Sequence, residues 1–183
     1  MTTPAYSSLI TAPAYRLPLT AYRLLLTAYR SMNYWLFKSE PSTYGIDHLA
    51  KDRVTAWSGV RNYQARNYMR DAMKKGDRGF FYHSSCEVPG IAGIVEVAGA
   101  SYPDETQFDR KSRQYDPGAA KESPRWFNVD VKFVKKTRIV SLAELRGETA
   151  LKNMQILQRG NRLSITPVTQ AEWECIERLL GKA

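Results

Sequence analysis

Asn33-Tyr34-Trp35-Leu36-Phe37-Lys38-Ser39-Glu40-Pro41 sets the reading of the chain. Side chains alternate across a strand, so apolar groups at consecutive positions of Tyr34 to Phe37 cover both faces. The segment is therefore a central strand buried on each side. Ser39 to Ser42 ends it, because Pro41 cannot continue a hydrogen-bonded ladder. Downstream, Ile46 to Lys51 reads as a short helix. Asn62 to Lys75 reads as a longer one, with Tyr63, Tyr68, Met69 and Met73 as inward positions, closed by Gly76-Asp77. Arg78 to Ser84 and Gly90 to Tyr102 read as further strands, with Gly93 and Gly99 marking bulges or close backbone approach. Residues 103–125, polar and carrying Pro103, Pro117, Gly118 and Pro124, form a long excursion of the functional or mobile kind.

Trp126 to Val140 alternates, with Phe127, Val129, Val131 and Phe133 on one face and Asn128, Asp130 and Lys132 on the other. This pattern predicts a half-buried antiparallel strand. Ser141-Leu-Ala-Glu144 and Thr169-Gln-Ala-Glu172 match capping boxes, the second opening a helix that runs to about Leu180. Leu151 to Leu157 reads as another short helix and Arg162 to Val168 as the last strand. The expected architecture is α+β: four or five strands in a small mixed β-barrel with short peripheral helices.

Residues 1–31 differ. They lack acidic residues, the first being Glu40, and Arg16-Leu-Pro-Leu-Thr-Ala-Tyr22 is followed by Arg23-Leu-Leu-Leu-Thr-Ala-Tyr29. Two heptads interrupted by Pro18 are too few for a coiled coil. The expectation is a disordered extension outside the fold, with one domain over 32–183 and Met32 as its functional start.

The 183 residues suffice for one domain with a real core. No apolar run approaches the roughly 18 residues of a membrane-spanning helix, so no membrane partner is expected. Lys and Arg number 27 against 18 Asp and Glu, a net charge of +9, and residues 32–183 alone keep +6. Such an excess suits a polyanion, since each neutralised phosphate releases counterions. Two distant cysteines, Cys86 and Cys175, and two histidines, His48 and His83, form neither a disulfide framework nor a metal-ligand spacing. A reduced, cytoplasmic setting fits them, and no cofactor is implied.

Four segments join polar to aromatic groups near strand ends. Lys38 and Ser39, where the central strand emerges, offer a cation and a hydroxyl to a phosphate or base edge; the plainer reading is a solvated strand end. In Trp57-Ser58-Gly59-Val60-Arg61-Asn62, Gly59 permits close backbone approach. Asn62 offers a donor and an acceptor together, as reading a base edge requires, or caps the next helix. Trp57 stacks on a base or belongs to the core. Phe81-Tyr82-His83-Ser84 reads more simply as a core strand with one hydrogen-bonded histidine. In Arg159-Gly160-Asn161-Arg162-Leu163-Ser164, the arginines contact phosphates or mark a solvated turn.

Together these strings resemble the EVE domain family. The resemblance is carried by Tyr34 through Pro41, Trp57 through Asn67, Gly76-Asp77, Phe81 through Ser84, Tyr102-Pro-Asp104, Pro124-Arg-Trp126 with Val129-Asp-Val131, and Arg162-Leu-Ser164 with Thr166-Pro-Val168. It implies a PUA-like barrel related to PUA, ASCH and YTH domains, and a reader of modified bases in DNA or RNA. Read from the four segments, the base site of such a reader would comprise Lys38, Ser39, Trp57, Ser58, Gly59, Val60, Asn62, Tyr82, His83, Ser84, Leu163 and Ser164, with Arg61, Arg162 and, just past the second segment, Arg66 on phosphates. YTH domains hold methylated adenine with a tryptophan and an asparagine after the first strand, and Trp57 and Asn62 occupy similar places. Some ASCH relatives hydrolyse an acyl group from a modified cytidine with a lysine and a carboxylate. Lys38 and Glu40 admit that alternative, but no separate nucleophile with an orienting partner accompanies them. A protein-interaction module explains the basic charge poorly.

Overall fold

The computed structural model describes residues 32–181. The expectation for residues 1–31 therefore lies outside the described residues. Seven strands form one mixed sheet: β1 (Tyr34–Ser39), β2 (Val54–Trp57), β3 (Arg78–His83), β4 (Gly90–Val97), β5 (Tyr102–Pro103), β6 (Phe127–Ser141) and β7 (Ile165–Val168). The order is β2-β6-β4-β3-β1-β7, with β5 added to β6. Among the described residues, only the β1–β3 pair is parallel.

Two strands beyond the expected four or five have a simple origin. The run from Gly90 to Tyr102 is broken after Val97, and its end pairs separately with β6. Strand β2 is a four-residue edge strand whose Val54 is exposed, too short and too little buried to leave an alternating pattern. The pairing does not close into a barrel; β2 and β7 stand at the two ends of the strand order. The fold is the PUA-like α+β architecture with an open seam.

Strand β1 is central, as its sequence predicts, and the sheet carries a core on each face. Trp35 and Phe37 pack with Trp57, Phe81, Met69 and Ile165. Leu36 packs on the opposite side with Phe80, Tyr82, Trp173 and Ile176. Phe37, Phe80 and Phe81 are fully buried, and burial of each contributes about 1.5–3 kcal/mol. The indole N–H of Trp35 donates to buried Asp77, which also accepts from Lys74 N–H and so fixes the turn before β3.

Short helices flank the sheet: α1 (Pro41–Tyr44), α2 (Ile46–Asp52), α3 (Tyr63–Asn67), α4 (Leu142–Gly147) and α5 (Gln170–Gly181). Both capping boxes form. Ser141 N–H donates to Glu144 at 2.8 Å, and Thr169 N–H donates to Glu172 at 2.7 Å. Helix α5 docks through Trp173, stacked on Phe80 at 4.1 Å and on Tyr34 at 4.4 Å. Helix α3 passes into a π turn at Tyr68–Ala72 rather than running as one α-helix to Lys75. Met69 and Met73 are buried as expected, but Tyr63 is 54% exposed. Gly93 is a close-approach position: a Cβ there would lie 2.6 Å from Ile46 Cδ1 of α2 and 2.7 Å from Lys135 O. Gly99 has no such neighbour. Residues 149–157 make two 3-10 turns instead of a helix. In β6, Asn128 is buried beside Val129, contrary to the expected alternation.

Candidate functional site

A cavity of about 660 Å³ lies at the open seam, where wall residues from both ends of the strand order meet. One wall is β2 and the loop after it, Thr55 through Asn62; the other is the end of β1 with Arg162 and Ser164 before β7. Thr43 and Tyr44 of α1 complete it. Lys38 N–H donates to Ser164 O at 2.8 Å, which ties the second wall together.

Of the residues singled out by sequence, Lys38, Ser39, Trp57, Ser58, Gly59, Val60, Arg61, Asn62, Arg162 and Ser164 line this cavity. Trp57 is 8% exposed, set edge-on against Phe37 and Phe81 at 5.1 and 5.7 Å. It is chiefly a core residue that presents a small part of its ring to the cavity. Asn62 caps α3: its Oδ1 accepts from Gln64 N–H at 2.9 Å and Ala65 N–H at 3.1 Å. Its amide Nδ2 makes no hydrogen bond among the described residues, so the donor half of the side chain remains for a ligand.

Lys38 and Arg162 are cations of the cavity that make no ion pair among the described residues. Burial lowers the Lys38 ammonium from its ordinary value, because desolvation disfavours the charged form. An anionic ligand would relieve that cost.

Arg61 plays a different part. Its guanidinium donates to Asp104 at 2.8 Å, to Gln114 O at 2.9 and 2.6 Å, to Thr106 Oγ1 at 3.0 Å and to Val60 O at 3.1 Å. All five N–H groups are engaged, so a phosphate would have to displace an internal bond. Asp104, 1% exposed, also accepts from Gly59 N–H at 3.1 Å and from the Thr106 N–H and hydroxyl. Gly59 holds φ +74°, a left-handed conformation that glycine adopts without strain. Burial pushes the Asp104 carboxyl up, but the hydrogen bonds from Thr106, Arg61 and Gly59 outweigh it and hold the group below its ordinary range.

The excursion over 103–125 is thus pinned to the cavity loop. Buried Gln107 pins it from the other side, donating to Asp104 O and Trp126 O and accepting from the N–H groups of Arg125 and Trp126, all at 2.9 Å.

Five singled-out residues lie away from the cavity. Tyr82 is buried in the core of the opposite face with Phe80, because side chains alternate along β3 and Phe81 takes the cavity side. His83 Nε2 accepts from Ile46 N–H at 3.1 Å, and Ser84 N–H donates to Ser39 O at 2.9 Å. Leu163 packs against the core containing Trp57. Arg66 donates to Arg125 O at 2.7 Å and lies over Tyr63 and Trp126. Sequence reasoning missed Thr43, Tyr44, Thr55 and Ala56. Pro41 at the first turn of α1 is a helix-start signal that could have found the first two; no comparable signal marks β2. Glu40 accepts from Ser85 Oγ, and no carboxylate among the described residues lines the cavity with Lys38.

No helix among the described residues is long and apolar enough to cross a membrane. Thymocyte nuclear protein 1 of Gallus gallus is 44% identical over 163 residues, covering 78% of this chain and 66% of that protein. The crystal structure of human THYN1 protein in complex with DNA containing 5-methylcytosine is 41% identical and superposes with a TM-score of 0.77, covering 83% of this chain and 99% of that one. The YTH domain of Mmi1, solved with RNA, shares the fold at a TM-score of 0.50 and 15% identity, over 82% of this chain and 78% of that one. The pattern of the EVE domain matches residues 33–179, and the chain belongs to the EVE domain family.

Proposed function

We propose that the domain is a nucleic-acid reader that holds one modified base in the seam cavity without chemistry on it. The observation that carries this reading is the cavity's wall: part of an indole, a free amide donor and two unpaired cations around about 660 Å³. An aromatic surface and a donor recognise a base, and the cations recognise its phosphates. The human relative solved with DNA containing 5-methylcytosine makes that base the first ligand to try. Glu40, the carboxylate of the hydrolase alternative, is engaged by Ser85 Oγ and does not line the cavity with Lys38, which favours the reader.

The test is titration of the full chain with matched oligonucleotides carrying 5-methylcytosine or cytosine, over a range of salt. Tighter binding of the modified strand is expected. Arg162→Ala should weaken both and reduce the salt slope by about one counterion. Lys38→Met should weaken both more strongly, since its charge is partly desolvated. Equal affinity for the two oligonucleotides, or binding insensitive to salt and to both substitutions, would overturn the proposal.

A further inference from the structure

Beside the cavity, α3 begins with an aromatic that the fold leaves outward. Tyr63 follows the cavity residue Asn62, is 54% exposed, and stacks on Trp126 with centroids 4.9 Å apart and planes at 29°. Its support is rigid. The Trp126 indole N–H donates to Asp116 at 2.7 Å, and Arg61 and Arg66 hold guanidinium groups 5.5 and 5.9 Å from that ring. The guanidinium of Arg66 lies 5.0 Å from the Tyr63 centroid. Its hydrogen bonds go to a carbonyl and to Asn67 Oδ1, so no carboxylate is bonded to its charge.

Exposed Arg110, Lys111 and Arg113 make no ion pair among the described residues. They lie on the loop whose Gln114 carbonyl is held by Arg61 at 2.6 Å. A tyrosine stacked on a buried tryptophan next to a cavity residue, with Arg66 beside it and three more unpaired cations on the loop that Arg61 holds, is a stacking platform for a strand whose phosphates those cations neutralise.

From this, and resting on the base-reading role of the cavity, we infer that Tyr63 is the platform for the nucleotide next to the held base. Tyr63 stacks on that neighbour while Arg66 flanks it. The surface thereby requires a strand rather than a free nucleoside, and sequence context on one side of the modified base enters through stacking.

The experiment couples residue to base. The parent, Tyr63→Leu and Tyr63→Phe are titrated with an oligonucleotide carrying 5-methylcytosine, and with copies in which the 5′ or the 3′ neighbour is abasic. Leucine keeps the apolar cover on Trp126 without a π-face, phenylalanine keeps the ring, and melting curves confirm that each variant is folded. The parent should lose about 5- to 150-fold in affinity when the neighbour on one side is abasic, the range stacking gives. Tyr63→Leu should lose a similar factor on the intact strand and no more on the abasic one; Tyr63→Phe should follow the parent. If Tyr63→Leu binds like the parent, or loses affinity equally with and without the neighbouring base, the platform is wrong while the cavity reading stands. If the parent binds none of the oligonucleotides, both fall.

Discussion

Asp104→Asn and Asp104→Ala test whether the wall of the cavity is built by one buried carboxylate. Asp104 is 1% exposed and joins the cavity loop, through Gly59 and Arg61, to the excursion, through Thr106. Deleting one partner of a buried ion pair costs about 3–5 kcal/mol. The Arg61 side chain is 23% exposed, so water can partly replace the lost carboxylate, and the lower end, about 3 kcal/mol, is expected for alanine. For a domain of this size that is a fall of about 6–12 °C in melting temperature. Asparagine keeps an acceptor but loses the charge, for about 2 kcal/mol.

The pH signature follows from the direction of the shift. The folded carboxyl titrates below its ordinary value of 3.8. Its stabilisation is therefore complete above that value and disappears as pH falls through the folded-state value. The difference in stability between parent and Asp104→Asn should shrink toward acid. Thermal melts from neutral to acid pH, with oligonucleotide titrations on the folded variants, measure both parts. Melting within about 1 °C of the parent would refute the argument that this carboxylate organises the wall. So would a destabilised variant that, once folded, binds oligonucleotide with unchanged affinity and preference.

Two further outcomes follow from the geometry. Asn62→Ser keeps an α3 cap within a few tenths of a kcal/mol while Asn62→Ala loses about 1 kcal/mol. If Nδ2 reads the base, serine should therefore erase the preference between modified and unmodified strands at parental stability; a retained preference assigns Asn62 to capping alone. His83 Nε2 accepts from Ile46 N–H, and burial first, then Lys136, pushes its pKa below 6.5, against the opposing pull of Asp47. The unfolded chain then binds the proton more readily, so stability should fall as pH drops below 6.5 and level off once the folded form also protonates. His83→Gln should flatten that part of a stability profile taken by urea unfolding; an unchanged slope would place the titration elsewhere.

What the sequence made legible is what local physics decides. Apolar residues at adjacent positions of Tyr34 to Phe37 can be buried only in a strand covered on both faces, and β1 is that strand. Each capping box needs a hydroxyl and a carboxylate three residues apart, and both formed. Along the segment that starts at Tyr63, the inward positions are Ala65 of α3, Met69 of the π turn and Met73 at its end, all buried. Tyr63, read as an inward position, is out of phase with them, so its ring faces outward although it is largely apolar. The very exposure that contradicts that reading is what makes Tyr63 available to a ligand.

The cavity was legible as residue types and not as a place. Lys38, Trp57, Asn62 and Arg162 come together because the sheet stays open between β2 and β7, and no local pattern records a ladder that fails to close. Arg61 shows the same limit from the other side. An arginine after a glycine, beside a tryptophan, has the composition of a phosphate contact. Asp104, 43 residues further on, takes its charge instead. A guanidinium with five internal hydrogen bonds is more useful as a clamp than as a ligand, since it fixes the loop that carries Asn62 into the cavity wall. The cations left available to a ligand are those that make no ion pair among the described residues, and partner assignment across the chain, rather than residue type, separates the two roles.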